Sequence, residues 1–252
     1  MKTLPLWKEI ITSPSRGYAE LKKDSPLVLP LVTVLVLLTL SIALILPILQ
    51  NSAYLEAAGR VQIQTLTEKG QTVSREQEQA IMEQMASPTV RTITLVSALA
   101  GGLITFVVMT LVSALLLKLF VLAFRGRIAY GLAFRILVYT ALIAMVQALI
   151  KNGITLAGNW ESALRRITDA DGLQAVLQSP ISLAVLTGPE TLGKPVYYLL
   201  DTLTDIFNWI YYIFIFFAVR MSAGMEKKPA MGVTLVFAGC SILIGGIMTL
   251  LT

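Results

Sequence analysis

At 252 residues, 56% hydrophobic and 14% charged, the chain is too apolar for a water-soluble surface; an ordinary soluble domain is about 25% charged. Histidine is absent and Cys240 is the single cysteine, so an intrachain disulfide, an imidazole or thiolate metal centre and a histidine-based catalytic triad are excluded by count. The net charge of +5 comes from basic residues scattered among loop ends, which argues against a nucleic-acid surface.

In chain order, Leu4, Trp7, Ile10 and Ile11 form an apolar helix face with Lys8 and Glu9 opposite, and Pro14 ends it. Tyr18 and Leu21 extend the pattern. Residues 1–26 therefore read as a cytoplasmic segment at the membrane interface, anchored by Trp7 and its lysines. The first apolar run is 23 residues long and starts at Leu27, longer than the roughly 7–15 residues of a signal-peptide core, so it is expected to remain as a helix.

About 20 apolar residues cross about 30 Å of hydrocarbon. Five stretches qualify: 27–49, 92–124, 130–150, 196–219 and 229–251. Pro26 and Pro30 sit at the entry of the first, where a missing N–H costs little. The second, at 33 residues, must tilt or project beyond the lipid. The expected fold is an all-α integral membrane protein, a five-transmembrane-helix bundle over residues 27–252.

Basic residues set the orientation. The N-terminal segment and the two short links, after spans two and four, collect twelve Lys and Arg with their flanks; the long connections 50–91 and 151–195 collect eight, against nine acids. The sequence therefore predicts an N-in/C-out topology. Short amphipathic helices are expected in both outer loops. In the first, Ser74 and Gln77 have capping-box spacing ahead of Ile81, Met82 and Met85, with Pro88 as the stop. In the second, Asn159 caps a helix whose Trp160, Ala163, Leu164 and Ile167 share a face opposite Arg165, Arg166 and Asp169. Both read as outer-surface helices or as order within long loops.

Span four holds the most informative residues. Asp201 and Asp205, four apart, share a helix face that Asn208 and Tyr212 continue. An ionised carboxylate in lipid costs about 2.5–3.5 kcal/mol or more, so this face should look into the bundle or a wet cavity. Gln147 and Lys151, on the outer half of span three, lie at matching depth; Lys151 is expected to pair with Asp201 or Asp205, with Gln147 hydrogen-bonding nearby. Three readings stay open: a boundary position in interfacial water, a buried structural pair, or a proton or cation site. Span four also carries nine of the twenty aromatics, a pattern of packing and interface anchoring. Small-xxx-small pairs, Ser97 with Gly101 and Ala98 with Gly102 in span two and Ser241 with Gly245 in span five, mark close helix approach, within the chain or in a homo-oligomer.

The stretch Gly188 to Lys194 begins like a phosphate-binding loop, but Pro195 stands where a magnesium-binding hydroxyl is needed and Pro189 removes a backbone donor. It reads as a turn, and no nucleotide or other cofactor is expected. The acids Glu76, Glu78 and Glu83 read as a solvated helix face.

Three stretches together resemble the YIP family, the Ypt/Rab-interacting membrane proteins, in a short bacterial form. They are Ser13-Pro14 with Tyr18 and Leu21; Arg125-Gly126-Arg127 with Tyr130, Phe134, Arg135 and Tyr139; and Phe207-Asn208-Trp209 followed by Lys227-Lys228-Pro229-Ala230. The resemblance covers nearly the whole chain and implies five spans, N-in and C-out. Eukaryotic members carry an Asp-Leu-Tyr-Gly-Pro motif that is missing here, so a Rab-type GTPase partner is not implied. The expectation is a non-enzymatic protein of a bacterial plasma membrane, embedded in the lipid bilayer. It would organise or assist membrane-protein partners; the competing reading is a small proton, cation or lipid transporter using the polar face of span four.

Overall fold

The computed structural model of the chain describes residues 3–158, 160, 164, 173, 182–186 and 192–251. Its helices are α1 (Thr3–Thr12), α2 (Pro14–Glu20), α3 (Val28–Leu49), α4 (Ser52–Glu68), α5 (Arg75–Ala86), α6 (Pro88–Ala123), α7 (Tyr130–Ala157), α8 (Lys194–Thr204), α9 (Ile206–Ser222) and α10 (Lys227–Leu251), with a 3-10 turn at Leu183–Leu186. No strand occurs among the described residues. Helices α3, α6, α7 and α10 are each long and apolar enough to cross a membrane. The α8–α9 pair qualifies as a fifth only when taken together, because it bends by 62°.

Several boundaries differ from expectation, each for a local reason. Pro14 does not merely end the first helix; it opens α2, where its missing N–H is one the helix would leave unbonded anyway. Pro88 likewise opens α6 after Ser87 closes α5, so the second span starts four residues before Thr92. The first long connection contains a helix the sequence reading missed, α4, capped by Asn51, whose side chain accepts from Ala53 N at 2.9 Å. The capping box at Ser74 and Gln77 forms as expected, with both reciprocal bonds present. The helix expected after Asn159 and the turn at 188–194 fall largely outside the described residues.

The chain divides into two compact units. Unit 1 comprises Met1–Leu37, Ile104–Gln147 and Thr202–Thr252. Its core joins Ile10, Tyr18 and Leu21 from the N-terminal helices to Leu117 and Val121 of α6, Ile136 and Tyr139 of α7, Ile215 of α9 and Phe237 of α10. Trp7, expected at the lipid interface, is only 7% exposed and packs edge-on against Tyr139 at 5.9 Å. Leu6, Trp7 and Ile10 of α1 are thus covered by protein, with α2 folded back against the helix, while Ile11 stays 53% exposed. Gly17 makes this approach possible: a Cβ there would sit 2.5 Å from the Ile10 backbone nitrogen. Both short turns of unit 1 end their helix with a left-handed residue, Arg125 at φ 62° and Gly224 at φ 63°. Behind them Gly126 N and Met225 N reach back to the Val121 and Arg220 carbonyls at 2.8 and 3.1 Å.

Unit 2 comprises Leu38–Leu103 and Ala148–Asp201. In it α4 and α5 pack as a hairpin, with Met82 Sδ over Gly59, and Leu164 is buried with Ala57 and Val61. Arg60 donates to the Leu164 carbonyl at 3.1 Å. Asn152 of α7 donates to both the carbonyl and the hydroxyl of Ser41 in α3, each at 2.8 Å. In both units the buried threonines 110, 140, 155 and 234 return their hydroxyls to the carbonyl four residues back. Polar groups are thereby satisfied inside their own helix, as a nonaqueous surround demands.

Candidate functional site

The expected polar face of span four presupposes one continuous helix. The backbone instead breaks between Thr204 and Ile206, with Asp205 in an extended conformation at the N-cap of α9. A break in an apolar segment exposes carbonyls at the end of one half and N–H groups at the start of the next. The residues that follow supply the missing partners. Asp205 Oδ1 accepts from Phe207 N at 2.9 Å, and its backbone carbonyl accepts from Asn208 N at 3.2 Å. Asn208 Nδ2 donates back to the Thr202 carbonyl at 3.1 Å, and Trp209 Nε1 to the Leu203 carbonyl at 2.7 Å. The Phe207-Asn208-Trp209 stretch is therefore a closure for this break. Its two polar side chains cap the outgoing half while Asp205 caps the incoming one, at the positive end of the α9 dipole.

Asp205 is 0% exposed. Its second oxygen, Oδ2, accepts from Gln147 Nε2 of α7 at 2.7 Å. The expected residues are divided between the two units. Asp205, Asn208, Tyr212 and Gln147 belong to unit 1, whereas Asp201 and Lys151 belong to unit 2. Asp201, half-buried, accepts instead from the Ser182 hydroxyl at 2.6 Å. Lys151 lies within α7, which runs on to Ala157 rather than ending at 150, and its carbonyl accepts from Thr155. A signal for the break was present in the sequence: an Asp immediately ahead of a long apolar run is an N-cap signature.

Beside Gln147 and Asn208, unit 1 contains a cleft of about 350 Å³ between α6, α7, α9 and α10. Its polar wall is Thr105, Ser113, Gln147, Asn208, Tyr212 and Ser241, and Phe106, Met109, Leu137, Met145 and Phe237 line the rest. None of the lining residues is ionisable at neutral pH. Thr105, Ser113 and Tyr211 had no sequence signal beyond being polar or aromatic in an apolar run, since only the tertiary structure gathers them.

A second constellation holds the N-terminal helices. The Tyr18 hydroxyl bonds Thr140 Oγ1 at 2.6 Å; Thr140 in turn donates to its own helix, so Tyr18 is the donor. Ser222 donates to the Tyr18 carbonyl at 2.7 Å, Arg135 Nε to the Ser25 carbonyl at 2.9 Å, and the Tyr139 hydroxyl to the Pro26 carbonyl at 2.8 Å. Burial pushes the Tyr18 hydroxyl well above the ordinary tyrosine range.

The small-residue pairs separate by environment. A Cβ added at Gly102 would meet Ile42 of α3 at 2.7 Å, whereas Gly101 has open space and Ser97 is exposed. Ser241 lines the cleft and donates to the Phe237 carbonyl at 2.9 Å; Gly245 is half-buried.

Long apolar helices with lipid-compatible surfaces, and buried threonines bonded within their own helices, define a multi-pass helical membrane protein. A family model for the Yip1 domain matches residues 8–251, and the chain belongs to that family. The match runs through all three stretches that carried the resemblance, of which Tyr18, Leu21, Arg135 and Tyr139 form the N-terminal clasp and Phe207-Asn208-Trp209 the closure of the break. No curated protein and no solved structure matches the chain.

Proposed function

We propose that this Yip1-domain protein is a non-enzymatic organiser or accessory of other membrane proteins, carried by five spans with a cytoplasmic N-terminus and an outer C-terminus. A bacterial plasma membrane is the compartment this reading implies. The observation that carries it is the use made of Asp205. Its oxygens bond Phe207 N and Gln147, its surface is fully covered, and it is not among the residues lining the cleft. The carboxylate acts as a structural cap, and the cleft offers an ion no opposite charge. A proton relay through Asp205 would need that carboxylate to meet water, and its surface is covered.

The orientation rests on charge. The N-terminal segment and the links at 124–129 and 223–226 all belong to unit 1, whose basic residues number twelve; the two long connections belong to unit 2, with eight. Short basic connections resist translocation, so the N-terminal segment and these two links form the cytoplasmic face. That face is the surface offered to partners, which include membrane proteins or a second copy of the chain.

The test is reconstitution of the full chain in liposomes containing a pH-sensitive dye, combined with photo-crosslinking in native membranes from Arg127 and Lys228. The organising role predicts proton and potassium leak equal to protein-free vesicles and discrete crosslinked membrane proteins. A saturable flux abolished by Asp205→Asn would refute it.

A further inference from the structure

The cleft in unit 1 has features that an organising role does not require. Its 350 Å³ falls at the lower end of the roughly 300–1,000 Å³ typical of small-molecule sites. One rim is the outward side of α6, where Met109 is 41% exposed and Thr105 is also exposed. In a bundle whose outer surface meets acyl chains, such a rim is an entry from the bilayer.

The polar wall is selective. Gln147 donates its Nε2 to Asp205, and Asn208 donates its Nδ2 to the Thr202 carbonyl. Each amide therefore keeps its oxygen, an acceptor, without a hydrogen-bond partner among the described residues. Neither oxygen is sealed away, since the one fully buried side-chain polar atom lacking a partner among the described residues is Trp7 Nε1. Open amide oxygens beside the Thr105 and Ser113 hydroxyls, in an uncharged, apolar-walled cleft, suit a group that donates one hydrogen and also accepts, a hydroxyl on an apolar body. A phosphate or carboxylate head would bring a charge that no lining residue compensates, which such a site disfavours.

We propose that this cleft binds a neutral hydroxyl-bearing lipid of the diacylglycerol class, entering sideways from the membrane. Its hydroxyl donates to the Gln147 and Asn208 end, and its first methylenes lie against Phe106, Met109 and Phe237. The cleft takes the head and the neighbouring chain segments, while the remaining acyl chain stays in the bilayer. This binding does not depend on the organising role and survives its failure.

The experiment uses the full chain in vesicles of dioleoyl phosphatidylethanolamine and phosphatidylglycerol doped with a diazirine-bearing diacylglycerol. After illumination, labelled peptides are mapped and competitors compared. Label is expected on the stretches 105–113 and 137–147 of α6 and α7. Dioleoylglycerol should compete, with its 3-O-methyl ether at least about tenfold weaker, because the site reads the hydroxyl hydrogen. Filling the cleft by Ala144→Leu or Ser113→Leu should reduce labelling about tenfold. If Ala144→Leu does not fold, Ser113→Leu at the half-buried rim and the ether comparison on the unaltered protein decide the matter. Equal competition by the ether or by phosphatidic acid, or labelling unchanged in Ser113→Leu, would overturn the proposal.

Discussion

Replacing Asp205 by Ala and by Asn separates its two properties, capping and charge. In Asp205→Ala, Phe207 N loses its side-chain acceptor, a cap loss of about 0.5–2 kcal/mol. Gln147 Nε2 is left without the acceptor it has at 2.7 Å, at about 1–3 kcal/mol for a buried donor. Together these give a destabilisation of about 2–4 kcal/mol, or about 5–15 °C in Tm at about 2–4 °C per kcal/mol for a chain of this size. Asp205→Asn keeps Oδ1 for Phe207 N, and a rotated Gln147 amide can present its oxygen to the new Nδ2. Its expected cost is within about 1 kcal/mol. Cys240 is the only thiol and is half-buried, so a thiol-reactive fluorophore in detergent reports unfolding directly. If Asn destabilises as much as Ala, the charge itself is required and the capping account fails.

Gly17→Ala should cost about 1–3 kcal/mol in the same assay, because the added methyl would lie 2.5 Å from the Ile10 backbone, which cannot rotate away. Tyr18→Phe removes one hydrogen bond but leaves Thr140 bonded to Ile136, so about 1 kcal/mol is expected. The same residue has a pH signature. Its folded pKa lies above the unfolded 10.0, so its contribution is intact below pH 10 and declines as pH rises above it, where only the unfolded chain releases the proton. Alkaline melting curves should therefore fall less steeply for Tyr18→Phe than for the parent. Asn152→Leu should cost about 1–3 kcal/mol by removing both bonds to Ser41, measurable in the same melt.

The apolar runs were legible because a membrane imposes one simple rule of length and hydropathy, and α3, α6, α7 and α10 follow it. The capping box at Ser74 was legible because it is a contiguous local signal. Span four was misread as continuous because hydropathy averages over 204–206, whereas the break is set by one extended residue and the side chains that satisfy it. The amphipathic pattern of α1 was visible, but pattern alone cannot distinguish a lipid surface from a protein one; Gly17 and the Tyr18 clasp decide that. Gln147 was placed near Asp205 by depth, and they do bond, yet Asp201 turns to Ser182, a residue remote in sequence with nothing to mark it.

The proposed topology would put the short basic turns in the cytoplasm and the long connections outside, around an interior closed to water. Single cysteines in a Cys240→Ala background, probed in sealed vesicles with a membrane-impermeant maleimide, test both parts in one measurement. Cysteine at the exposed positions Arg127 and Gln71 should label from the cytoplasmic and the outer side respectively, while Ser241→Cys in the cleft stays unmodified from either. Rapid modification of Ser241→Cys from water, or labelling of the two exposed positions from the same side, would contradict it.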